Sequence, residues 1–234
     1  MLTLSAFLLI FPFGVFCQTW HTRACLENHI GYLENILQET MYKIERDVKY
    51  CNLKVDDFKQ TVNHQMYSWL VKGTVHYKNN FLISIEGMDV STISSVVTRR
   101  PITDTAEYHA GLRATLNLRN SRIGFDILAE LENMNEQRYT GVYLYNLISF
   151  PISINRNLNT NETTIAISHP GSLASIQRMH YMPDTKVTEV LRRNFQSYLI
   201  SDSFTKWGRD IIIPIMEQLA TEIEFPAIRF HSCS

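Results

Sequence analysis

Hydrophobic positions in this chain follow a three-and-four spacing near both ends and alternate in between. From Cys25 to Val48, the residues Leu26, Ile30, Leu33, Leu37, Met41, Ile44 and Val48 form one stripe, with Glu27, Glu34, Glu39, Lys43 and Arg46 lying mostly off it. That spacing predicts an amphipathic helix. From Tyr67 to Tyr181 the period becomes two. Tyr67, Trp69, Val71, Gly73, Val75 and Tyr77 share one strand face. Lys78-Asn79-Asn80 reads as a turn, after which Phe81, Ile83 and Ile85 resume on the next strand. Gly87-Met88-Asp89 reads as a break before a β-branched strand over Val90 to Val97. Ala110, Leu112, Ala114, Leu116 and Leu118 alternate with polar neighbours, Asn120-Ser121 reads as a hairpin turn, and Ile123, Phe125, Ile127 and Ala129 follow. A long strand over Tyr139 to Ile154 carries Pro151 as an edge or bulge mark. Ile165 and Ile167 give a short strand before the His169-Pro170-Gly171-Ser172 turn.

Beyond Asp184 the helical period returns. Val187, Leu191, Phe195, Tyr198 and Leu199 mark one helix; Phe204, Trp207, Ile211, Ile215, Leu219 and Ile223 mark a second, in which Pro214 predicts a kink or a local break. A sheet with one consistently apolar face must bury it against another layer, and the terminal helices are the candidates. The expected fold is therefore α+β, a strongly curved antiparallel sheet wrapped around long N- and C-terminal helices.

The apolar run Leu2 to Phe16 is shorter than the roughly 20 residues of a membrane span and matches the core of a signal peptide. Val15 and Cys17 suit cleavage before Gln18, which predicts a leader over 1–17, a single domain over 18–234 and secretion. The competing reading is a buried N-terminal strand or helix. Four cysteines occur, at 17, 25, 51 and 233. A continuous helix between Cys25 and Cys51 holds their Cα atoms roughly 35–40 Å apart, too far for a disulfide, so Cys233 is the expected partner of one of them. Antiparallel terminal helices bring Cys25 to Cys233, the favoured pairing; parallel ones bring Cys51 there. Asn161-Glu162-Thr163 is the one glycosylation sequon and falls in a polar stretch read as a loop.

The remaining composition narrows the function classes. Hydrophobic residues make up 45% and charged residues 19%, with a formal net charge of −1; this is a globular chain without the field that draws in nucleic acid. The histidines lack the His-Glu-x-x-His spacing, no cysteine pair has zinc-site spacing, and there is no Gly-x-Ser-x-Gly elbow or glycine-rich phosphate loop. No cofactor, metal site or catalytic residue is expected. Apolar surface remains, and its plain reading is a packed core.

Three stretches carry a family likeness: Leu70 to Val75 with Phe81 to Met88, the Leu112 to Leu131 region, and Phe204 to Glu222 with its Ile213-Pro214-Ile215-Met216 step. In these the chain resembles the tubular lipid-binding (TULIP) superfamily, and within it the mite group 7 allergens and the arthropod juvenile-hormone-binding and takeout-like proteins. Cys25 lacks the closely spaced second cysteine of the hormone-binding members, which moves the resemblance towards the group 7 branch. The resemblance implies an elongated apolar tunnel, reversible binding of a lipid or other hydrophobic small molecule, and no catalysis. The expected lining is Trp69, Val71, Val75, Ile83, Ile85, Leu112, Leu116, Phe125, Ile127, Trp207, Ile211 and Ile215. The alternative is a secreted interaction protein with a dry core that binds another protein or a microbial surface.

Overall fold

The computed structural model describes residues 24–48, 53–66, 68–102 and 105–230. The expected leader, Cys51 and Cys233 lie outside them. A strand and a helix open the described chain: β1 (Ala24–Leu26), then α1 (His29–Lys43), which continues as a π-helical turn over Ile44–Val48. A long antiparallel meander follows. Its first row is β2 (Lys54–Val55) and β3 (Phe58–Met66), both paired to β4 (Trp69–Ser84). Strand β5 (Gly87–Ile102) continues where β4 stops, and the two lie end to end along one edge of β6 (Thr105–Leu131). The other edge of β6 pairs with β7 (Gln137–Asn157), which in turn pairs with β8 (Thr163–Ile167) and β9 (Gly171–Met182). The result is a predominantly antiparallel, curved sheet of α+β class.

Strand β6 runs straight through Asn120-Ser121, the position read as a hairpin turn. Its 27 residues span roughly 90 Å if fully extended. Asn120 adopts φ 49, and the buried side of the strand switches there, from Ala110, Leu112, Ala114, Leu116 and Leu118 to Ile123, Phe125, Ile127 and Ala129. An asparagine followed by a change of phase is the mark of a turn. Here it marks one left-handed residue inside a continuous strand. The neighbouring row switches at the same level, since Arg119 pairs with Leu147 and Ser121 with Tyr145, and burial passes from Tyr143 and Tyr145 to Ile148 and Phe150. On the other side, the β4–β5 junction falls between Ser84, opposite Arg122, and Gly87, opposite Arg119. These irregularities form a waist across the sheet.

The turn expected at Lys78-Asn79-Asn80 is likewise a bulge within β4, with Asn79 at φ 51 and the pairing shifted between Lys78 and Phe81. A bulge adds one residue and moves the side chains that follow to the opposite face. Leu82 is therefore buried, while Phe81 and Ile83 face outward, 38% and 45% exposed. The sheet also takes in Lys54–Val55 and Phe58–Met66, ahead of the alternating region that starts at Tyr67. Gln60 interrupts the apolar pattern there and is nonetheless buried, because its amide bridges β3 to the end of α2: Nε2 donates to the Asn194 carbonyl, and Oε1 accepts from the Gln196 amide.

The C-terminal helices are α2 (Lys186–Asn194), α3 (Ser201–Trp207) and α4 (Ile213–Glu222), with a 3-10 turn at Ser197–Ile200 before α3 and a π-helical turn at Gly208–Ile212 between α3 and α4. Thr185 caps α2 by accepting from the Thr188 amide at 3.2 Å, and the Thr188 hydroxyl reciprocates. The expected kink at Pro214 is absorbed by the π turn. Proline lacks the amide hydrogen for the ordinary helical bond and crowds the carbonyl four residues back; widening the preceding turn accommodates both. The added residue also moves the core-facing stripe. Trp207 is followed in the core by Ile212 and Met216, whereas Ile211 and Ile215 sit on its flank.

Helix α1 packs on α4 and on β5–β6, α4 on β8, and α2 on β3 and β9. The chain ends meet in a two-stranded ribbon, β1 with β10 (Ile228–Phe230), where Cys25 faces Arg229. Residues 24–26 thus form a strand rather than the start of the expected helix, and Ile30, expected in its stripe, is 49% exposed. The two candidate disulfide partners of Cys25, namely Cys51 and Cys233, lie outside the described residues. Among the described residues no helix is long and apolar enough to cross a membrane.

Candidate functional site

The waist divides the apolar face into two halves of different chemistry. On the side of β3, β4 and β9, the face is aromatic. Phe195, held in extended conformation just after α2, sits among Tyr143, Tyr77, Phe125 and Phe58 at centroid distances of 4.9, 5.4, 6.0 and 6.2 Å. The Tyr77 and Tyr181 hydroxyls share a buried hydrogen bond of 2.9 Å. Ring edges and faces fill this half, leaving a solid core.

Burial pushes the Tyr77 hydroxyl up to about 12, with the Tyr181 hydrogen bond acting the other way; burial also raises Tyr145 and Tyr181. A raised phenol binds its proton more tightly when folded. Its contribution is complete below the unfolded value of 10 and is lost as pH climbs through the folded value. We expect the denaturation midpoint to be flat up to about pH 9 and to fall steeply between about pH 10 and 12. A pH series of urea unfolding curves checks this, and Tyr77→Phe should reduce the slope.

On the side of β5 and β8 the face is mainly aliphatic: Leu112, Leu116, Ile148, Ile152 and Ile154 with Phe150 among them, covered by Leu33, Ile36, Leu37 and Met41 of α1 and by Met216 and Leu219 of α4. Strand β5 is the thin part of this wall, and its inward residues Val90, Ile93 and Val97 are only partly buried. Where α1 crosses β5 and β6, a crevice of about 100 Å³ remains, lined by Leu37, Met41, Met88, Val90 and Leu116 and rimmed by Glu34, Gln38 and Asp89. Met88 pairs with Leu118 on the inner face and is nonetheless 45% exposed, which places it at the mouth. The Asp89 carboxylate at the rim is held below the usual range by hydrogen bonds from Arg119 and then Asn117.

The residues expected to line one tunnel fall in different places. Val71, Val75, Phe125 and Ile127 belong to the aromatic half. Leu112 and Leu116 belong to the aliphatic half, and of the whole set only Leu116 borders the crevice. Trp207 is buried beside Phe204 and donates from Nε1 to the Lys54 carbonyl at 2.5 Å. Ile85, Ile211 and Ile215 are partly buried. Trp69 and Ile83 stand outside the core: Trp69 is 45% exposed with Lys186 over its ring at 5.7 Å, and Ile83 covers Gly124 on the outer face. Sequence reasoning missed Met88, read there as part of a break, and Val90; the spacing of Leu37 and Met41 was the available signal for the opposite wall.

Other concavities lie on the surface. One of about 650 Å³ separates the end of α4 from the β7–β8 turn, where exposed Asn161 (φ 61) accepts from Arg156 at 3.3 Å and Arg156 lies 5.0 Å from the centroid of the Phe225 ring. Two more, of about 500 and 440 Å³, lie on the outer face of the sheet around Asp126 and around Arg113.

No family model matches this chain, and no curated protein sequence matches it. Among solved structures, the chain is similar to one described as a crystal structure of lipopolysaccharide binding protein, at 9% identity and a TM-score of 0.41, over 82% of this chain and 37% of that one.

Proposed function

We propose that this chain is a secreted, non-catalytic carrier whose hydrophobic ligand enters beneath α1. The observation that carries this reading is the crevice with Met88 at its mouth. Packing between α1 and the sheet stays open there, and two flexible methionines line the gap. At rest the crevice has room for about three waters' worth of volume, so an acyl chain or terpenoid needs α1 to lift from β5 and β6. Burying twelve methylenes contributes about 10 kcal/mol before ordering costs, against about 8 for micromolar affinity. The tunnel is therefore proposed as a ligand-formed space in the aliphatic half. The filled aromatic half supports the second reading, a dry core in a protein that binds another protein or a microbial surface.

One preparation tests both readings. Secreted from eukaryotic cells and analysed by native mass spectrometry after mild extraction, the carrier yields a small hydrophobic molecule and retakes a fluorescent fatty acid. The same spectra, before and after deglycosylation, read whether Asn161 carries a glycan, and non-reducing peptide mapping reads whether Cys25 pairs with Cys233. Met88→Trp is expected to close the mouth and weaken uptake about tenfold or more, the equivalent of 1.4 kcal/mol, with little change in the unfolding midpoint. Leu173→Trp, at an exposed position outside the crevice lining, should leave uptake unchanged. No extracted molecule together with no probe uptake sinks the carrier reading and favours the dry core.

A further inference from the structure

The outer face of the aliphatic half carries a second, chemically different concavity. It holds about 440 Å³ and crosses β5, β6, β7 and the start of the β8–β9 connection. Arg113 stands in its centre, directly paired with Ser94 on one side and Ser153 on the other. Thr115, two residues along β6 on the same face, bonds to the Thr92 hydroxyl at 2.5 Å, and Ser168 closes the far side. Thr92 reaches this position because β5 bulges between Ser91 and Ser94, with Thr92 at φ 52, a left-handed conformation that a β-branched residue adopts at a cost of about 1–2 kcal/mol.

Three other arginines of the sheet are differently placed. Arg119, Arg122 and Arg138 are each tied to a carboxylate, Asp89, Glu86 and Glu136. Arg113 has no ion pair, hydrogen bond or ring contact among the described residues, and none of the groove's described lining residues is acidic. A planar guanidinium with its donors uncommitted, beside the Ser94 hydroxyl of β5 and across the groove from Ser168, matches a tetrahedral oxyanion: the guanidinium offers paired donors and these two hydroxyls add to them, whereas Ser153 donates to the Ala166 carbonyl and Thr92 to that of Ser91. Ser94 and Ser168 keep their hydroxyl hydrogens uncommitted among the described residues. The volume exceeds that of a bare phosphate, so the group can arrive as an ester with part of its alcohol.

We propose that the groove around Arg113 binds a phosphate group, on the face of the sheet opposite α1 and independently of any ligand beneath that helix. The group can be free phosphate or the headgroup of a phospholipid, and the test separates these sources. Full-length protein, isotopically labelled, is titrated with inorganic phosphate at constant ionic strength while the amide resonances of Thr92, Arg113 and Ser153 are followed. In parallel, it is sedimented with phosphatidylcholine vesicles with and without phosphatidic acid. Saturable shifts confined to the groove indicate free phosphate. Sedimentation only with phosphatidic acid, without such shifts, indicates the headgroup. In either case Arg113→Gln weakens binding about tenfold or more, while Arg122→Gln, which removes an ion-paired arginine of the same sheet, leaves it unchanged. Absence of both signals, or equal binding by wild type and Arg113→Gln, overturns the proposal; the folded spectrum of the variant shows that the comparison is between intact proteins.

Discussion

Replacing Gly73 with alanine is expected to destabilise the fold by about 3 kcal/mol or more, or to prevent it from forming. Gly73 lies in the first third of β4, between Val62 of β3 and Leu131 at the end of β6. Its φ of 153 is one that residues with a side chain rarely adopt, and a Cβ there would overlap the Glu130 carbonyl oxygen and sit 2.8 Å from the Leu131 Cα. Both obstacles are backbone, so no rotamer change relieves them. Strand β6 would have to move away, taking with it the aromatic half of the core packed behind Phe125. Gly87, at the β4–β5 junction, is the matched control, because a Cβ there meets nothing within 4 Å. Gly87→Ala should stay within about 0.5 kcal/mol of wild type. Urea unfolding of the pair, followed by near-ultraviolet circular dichroism, reads the difference. A Gly73→Ala midpoint equal to that of Gly87→Ala would show that β4 and β6 can part at no cost, contrary to this register.

The second large effect is expected at Trp207. Its indole is 2% exposed, lies 5.0 Å from the Phe204 ring centroid and bonds to the Lys54 carbonyl, which joins the C-terminal helices to the short strand β2. Trp207→Ala removes the ring and leaves that carbonyl without its donor; large-to-small aromatic changes of this kind cost about 3–5 kcal/mol, of which the lost partner supplies about 1–3. Trp207→Phe separates the two terms by keeping the ring and losing the N–H. The midpoint should fall with little change in the denaturant slope. Probe uptake measured well below the new midpoint should change less than it does in Met88→Trp. A stable Trp207→Ala protein with lost uptake would instead place the indole against the ligand.

Much of the architecture is legible in the chain, because burial of one sheet face imposes alternation and burial of one helix face imposes three-four spacing. What misled was every place where a single residue shifts the phase. Asn79, Asn120 and the π turn before Pro214 each insert one position into a continuous element. Local sequence around them is the same as at a true turn or kink: asparagine tolerates the left-handed region, and proline breaks the regular helical bond. Only pairing to a neighbouring row shows that β6 continues through Asn120, and that information is not local. The same shifts explain Ile83, Ile211 and Ile215 among the misplaced site residues, though not Trp69, which precedes them. Ile83 lies beyond the Asn79 bulge, and Ile211 and Ile215 lie in or beyond the π turn, so each was assigned the face its predecessors occupied. The crevice was less legible still, since nothing in the spacing of Leu116, Val90 and Met88 distinguishes a wall with a gap from a wall without one.

The ribbon of β1 and β10 has a kinetic meaning. Each row of the meander pairs with a row adjacent in sequence, so the sheet can grow by closing short connections. Cys25 and Arg229, which meet in the ribbon, are 204 residues apart. Bringing such distant ends together in a flexible chain costs about 5 kcal/mol of closure entropy, and that cost becomes small once the rows between them are ordered. The ribbon is thus the seal on an assembled sheet rather than its nucleus, and the first and last helices come to rest side by side only after everything between them has found its place.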